Sequence, residues 1–98
     1  MRETIGGWGV KAVITVVGKD RVGIIAGVST ALAAQDVNIL DISQTILQDY
    51  FNMIMLVELD TERTSIPDLS ERLNAVGHQL GLQIRVQHDA IFTAMHRI

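Results

Sequence analysis

Segments of strand-like composition and segments with apolar residues at helical spacing follow one another along this chain in the order strand, helix, strand, strand, helix, strand, and few folds accommodate that succession. The run KAVITVV, Lys11 to Val17, is rich in β-branched residues and closed by Gly18, which predicts a strand apolar on both faces. In IIAGVSTALAAQD, Ile24, Ile25, Val28 and Leu32 mark a helix. Its many alanines and Gly27 let it lie close to a neighbour. Asp20 stands where its carboxylate is expected to cap that helix. NILDISQTILQ (Asn38 to Gln48) and FNMIMLVEL (Phe51 to Leu59) read as a hairpin turning at Asp49-Tyr50. Pro67 then precedes Leu69, Leu73, Val76 and Leu80 at i, i+4, i+7 and i+11, and Gly81 ends this second helix. QIRVQH, Gln83 to His88, is the last strand, with Ile84 and Val86 inward. A tail follows in which Ile91, Phe92, Met95 and Ile98 again have helical spacing.

The order β, α, β, β, α, β predicts an α+β fold of ferredoxin-like type. Its two helices cover one face of a four-stranded antiparallel sheet whose central strands are the first and third. A chain of 98 residues has room for one such core. Residues 1–10 are expected to form a flexible extension, 11–88 the domain and 89–98 a tail with a short helix. Trp8, alone in the extension, is either a loosely packed arm residue or a docking residue for a partner. Phe51, Met53, Met55, Val57 and Leu59 share one sheet face, yet Ile54 and Leu56 lie on the other. Helices cannot cover both sides, so the second face implies self-association burying on the order of 600 to 800 Å² per subunit. The alternative is that the tail folds back over part of that face.

Composition removes several kinds of chemistry. The chain has no cysteine, hence no disulfide, no thiolate metal site and no cysteine nucleophile, and a reducing cytoplasm is its natural setting. A net charge of -3 gives no broad attraction for phosphate backbones, which weighs against nucleic acid. An RNA-binding sheet face would need stacking aromatics on its central strands, where Phe51 stands alone. No apolar run in the first ten residues is long enough for a signal peptide or membrane span. Gly18 and Gly23 have the spacing of a phosphate-binding loop, but Ile24-Ile25 stand where Lys-Ser or Lys-Thr must follow. His78, His88 and His96 are too dispersed to form a metal site, and neither Ser29 and Ser43 nor Asp41 and Asp49 show a catalytic pattern. Nothing here calls for a cofactor.

The segment ITVVGKDRVGIIAGVSTALAAQDVNILDISQ, Ile14 to Gln44, resembles the signature of the ACT family: a strand, a loop ending in Asp-x-x-Gly, a helix, then Asn-Ile opening the next strand. The opening VVGKDRVGI, the DISQTIL segment and the AIFTAM tail are similar to small stand-alone ACT proteins and, for the opening, to the ACT repeats of the glycine cleavage system repressor. With the element order, the resemblance extends over Lys11 to His88. It implies a non-catalytic regulatory protein that binds an amino acid or related metabolite at the interface of a homodimer or higher oligomer. The ligand would lie where the loop of one subunit, Asp20, Arg21, Val22, Gly23 and Ile24, meets Asn38 and Ile39 of another. Many family members have proline where this chain has Val22, which leaves the loop less rigid.

The residues themselves support that chemistry and also a plainer one. Exposed amides and the dipole at a helix start favour a carboxylate, Gly23 removes a Cβ from the approach, and Asn38 both donates and accepts. Equally, Asp20 caps its helix, Gly23 permits close packing and Asn38 holds a turn. Two further functions compete: a protein-interaction module that docks a partner on the exposed sheet face, and an acylphosphatase-like hydrolase using Arg21 and Asn38, for which the glycine-rich cradle is missing.

Overall fold

A computed structural model describes residues 9–20 and 22–95. The elements follow the expected order: β1 (Val10–Lys19), α1 (Ile24–Ala34), β2 (Asn38–Leu47), β3 (Tyr50–Leu59), α2 (Ile66–Leu80), β4 (Leu82–His88) and α3 (Asp89–Met95). The four strands form one antiparallel sheet in the order β2-β3-β1-β4, so the first and third strands are central as their apolar content requires. Most of the expected N-terminal extension, Trp8 included, lies outside the described residues, and β1 already begins at Val10.

Alternation along the central strands builds the core. Ala12, Ile14 and Val16 of β1 and Met53, Met55 and Val57 of β3 point to one side and are buried, with Ile24, Val28 and Leu32 of α1 and Leu69 and Leu73 of α2 packed over them. Ser65 starts α2, its hydroxyl accepting from the Asp68 amide at 3.2 Å, and Pro67 sits in the first turn. Gly81 ends α2 in the left-handed region at φ 70°, its amide donating to the Gly77 carbonyl. The hairpin turns at Gln48-Asp49, one residue earlier than expected, with Gln48 at φ 56° and β3 starting at Tyr50.

The tail does fold back. His88 Nδ1 accepts from the Ala90 amide at 3.0 Å and turns the chain directly from β4 into α3, which packs on β1 and β4. Val13 faces away from α1 and α2, lies outside the main core cluster, and is nevertheless only 6% exposed. Beyond that patch the outer face is open, with Val17 and Ile54 each 42% exposed.

Helix α2 lies hard against β4. A Cβ on Gly77 would come within 2.7 Å of the Leu82 carbonyl oxygen, a backbone atom that cannot rotate away. Alanine improves helix propensity by about 1 kcal/mol, but forcing two backbones apart in a packed core costs about 1–3 kcal/mol. Gly77→Ala is therefore expected to lower net stability by up to about 2 kcal/mol, seen in urea unfolding as a lower midpoint with an unchanged slope.

Candidate functional site

The loop after β1 is held at one end by the hairpin: the Asp20 amide donates to the Asp49 carbonyl at 2.6 Å. Asp20 does not cap α1. The residue in the capping position is Gly23, at φ 94° and ψ 0°, and no side chain bonds to the first-turn amides. The chain must pass from an extended strand into a helix within a few residues, which puts the last loop residue at positive φ, a conformation glycine adopts without cost. That requirement displaces the carboxylate from the cap to a position three residues upstream. The Gly23 carbonyl accepts the first helical bond, from the Gly27 amide at 2.8 Å. The opening amides of α1 are thus without a side-chain cap, and the first turn holds no acidic residue to offset the dipole.

The side chains around these amides divide sharply. Val22 is 97% exposed, Gly23 is open to solvent, and Ile24 is buried in the core, so Ile24 offers a ligand only its backbone. Arg21 lies outside the described residues. A Cβ built on Gly23 meets nothing within 4 Å, so the space beside it is vacant and packing is not the reason for glycine here.

Asn38 and Ile39 are half-buried at the start of β2. Asn38 pairs with Glu58, which pairs in turn with Lys11 near the start of β1, whereas Asp20 follows Lys19 at the strand's other end. At 3.3 Å per residue, the run from Lys11 to Lys19 separates the two groups by about 26 Å. Within one subunit the loop and Asn38 are therefore not brought together.

Strand β2 is an edge strand unlike the others. A bulge between Ile39 and Asp41 leaves Leu40 as an extra residue, and everything from Leu40 to Leu47 is exposed. Ile42 and Ile46 extend on the helix side of the sheet, yet they are 45% and 51% exposed because the helical layer stops short of them. The uncovered apolar surface is thus centred on β2 and its hairpin, with Leu47 and Tyr50 the most exposed, rather than on the middle of the outer face as the strand patterns suggested. The β-type composition of NILDISQTIL signals a strand but not which side of it lacks cover. Among the described residues no three His, Asp or Glu side chains gather as metal ligands. No described helix is long and apolar enough to cross a membrane.

The family model for the ACT domain matches residues 11–87. This chain belongs to the ACT domain family. Across nearly its whole length this ACT domain is similar to the UPF0237 protein of Clostridium acetobutylicum, 52% identical over 88 residues that make up 90% of this chain and 99% of the relative. An ACT domain protein from Streptococcus pneumoniae superposes with a TM-score of 0.75 at 47% identity, covering 85% of this chain and 93% of that one. A structure described as a glycine cleavage system transcriptional repressor superposes at 0.66 with 28% identity, covering 81% of this ACT domain and 45% of that chain. The resemblance read from Ile14 to Gln44 is borne out, and with it a family whose members are typically regulatory and ligand-binding.

The loop geometry separates two substitutions. In Gly23→Ala the strain of positive φ alone should cost about 1–2 kcal/mol. Asp20→Ala, which removes no cap, should stay within about 0.5 kcal/mol of the parent. Thermal unfolding of both variants checks the pair, and equal losses would restore Asp20 as a structural cap.

Proposed function

We propose that this ACT domain is a non-catalytic regulatory protein of the cytoplasm that binds an amino acid or a related small metabolite between two copies of the chain. The observation that carries this reading is the separation of the two half-sites: the uncapped start of α1 and Asn38 lie at opposite ends of the sheet. A second copy resolves that separation. Antiparallel pairing of β2 with β2 about a two-fold axis sets Asn38 of the partner subunit level with Leu47, at the end where Asp20 is tied to Asp49. The same pairing satisfies the open backbone edge and covers Ile42 and Ile46, which a lone subunit leaves wet.

In such a pair the ligand carboxylate lies against the Ile24 and Ile25 amides, where the positive end of α1 is not neutralised. Asn38 of the partner subunit accepts from the ligand's amino group and donates to any further oxygen. Ligand binding then regulates by favouring one arrangement of the pair, to the extent that its affinity differs between arrangements. A second reading, an interaction module that docks a protein partner without any ligand, draws on the same exposed residues, chiefly Leu47 and Tyr50.

Sedimentation should find the parent dimeric or larger at micromolar concentration and Ile46→Lys monomeric. A thermal-shift screen of amino acids and short organic acids should yield a ligand that adds about 2.7 kcal/mol at a hundredfold excess over its dissociation constant. Asn38→Ala should remove that shift while leaving the dimer intact. A monomeric parent would sink the shared site, and a dimer blind to every such ligand would leave the interaction module in its place.

A further inference from the structure

The part of the outer face that α3 leaves open is polar in an ordered way. A cavity of about 780 Å³ lies along it and reaches the edge of β4 below the last turns of α2. Its lining comes from three strands in register: Thr15 pairs with Ile54 and Arg85, and Val17 pairs with Asn52 and Gln83. Cross-strand neighbours stand about 5 Å apart at Cβ. Thr15 is thus flanked by Ile54 and Arg85, and Val17 by Asn52 and Gln83, so four polar side chains share with Val17 and Ile54 one patch three strands wide.

The charge of this lining differs from that of the chain. The protein carries -3 overall, yet the titratable groups among the described residues lining the cavity are Arg85 and, at the α2 rim, His78, with no carboxylate between them. Arg85 forms no ion pair among the described residues, and none of Thr15, Asn52, Gln83 and Arg85 engages another described side chain. A guanidinium fork, two carboxamides and a hydroxyl that no other described side chain engages form, on one surface, a recognition set for an oxyanion bearing further polar groups. No Phe, Tyr or Trp is among these lining residues, and the one imidazole, His78, stands at the rim, which weighs against single-stranded nucleic acid, whose bases need a stacking platform. The volume is that of a small-molecule site, which typically holds roughly 300–1,000 Å³.

We infer that this cavity is a second ligand site, distinct from the start of α1, that takes a small anionic metabolite carrying a carboxylate or phosphoryl group. Arg85 grips the oxyanion in bidentate fashion, and Asn52, Gln83 and Thr15 read the polar groups beside it. The proposal requires neither the dimer nor a ligand at the first site.

The test is an amide chemical-shift titration of the full chain with inorganic phosphate and, separately, with succinate, both at constant ionic strength. Saturable shifts grouped on Thr15, Val17, Asn52, Gln83 and Arg85 are expected at millimolar anion. A response to phosphate alone assigns the phosphoryl class, and a response to succinate alone the carboxylate class. Arg85→Gln, exposed and remote from the core, should leave the rest of the spectrum in place and weaken binding about ten-fold, the loss of one charged hydrogen-bonding partner. Arg85→Lys should recover only part of it, because an ammonium cannot reproduce the fork. Silence with both anions, shifts confined to Gly23 and Ile24, or equal affinity in Arg85→Gln would overturn the assignment.

Discussion

The close contact between α2 and β4 at Gly77 decides where the helical layer sits. With no Cβ in the way, α2 comes down onto the Leu82 backbone. Leu73 and Leu69 are thereby set over the central strands. Since α1 packs on α2, with Leu80 reaching Gly27, the whole layer is registered from the β4 side of the sheet. Strand β2 at the far edge is what that layer does not reach. A strand exposed on both faces from Leu40 to Leu47 is an unstable proposition for a lone protein, and burying it against its own copy needs no further element. The surface that invites pairing thus originates in a contact on the opposite side of the molecule.

Much of this fold was legible in the sequence because its signals are local. The β-branched run of β1 and the leucines of α2 at helical spacing each specify an element without help from the rest of the chain. The features that escaped depend on backbone conformation or lateral position. Gln48 takes positive φ in the hairpin with no glycine or asparagine to announce it, and Leu40 bulges within a run that reads as a plain strand. Asp20 looked like a cap because Asp-x-x-Gly suits one, but the turn into α1 demanded glycine at the position itself. The exposure of Ile42 and Ile46 was unreadable, since their pattern matches that of buried strand residues and only the placement of the helices leaves them uncovered.

A site shared between copies couples two equilibria. If the ligand bridges the start of α1 and Asn38 of the partner subunit, it binds the pair and not the single chain, so it strengthens association by the same factor by which association strengthens binding. The proposed half-site in one copy centres on backbone amides of a short turn without a side-chain cap, and of its described side chains Val22 points to solvent and Ile24 into the core. Such a half-site alone is weak and unselective. In the proposed pair, selectivity among metabolites would draw on the second copy's polar residues and on how tightly the edges close.

The outer cavity obeys different physics, although the same strand serves both places. Thr15 and Val17 line the cavity, and three residues after Val17 the chain has entered the loop at Asp20. Proximity along β1 nevertheless does not make β1 a lever. It is bonded to a neighbour on each side from Ala12 to Gly18, and a slip of one residue would turn Ile14 and Val16 out of the core. A strand locked in that way has no second arrangement for an anion at Arg85 to select, and coupling between sites requires an element with two arrangements. Without such an element, occupancy of the outer cavity and occupancy of the shared site should add as independent events. Any cooperativity between them would have to arise where copies meet, which in the proposed pair is the β2 edge of the sheet.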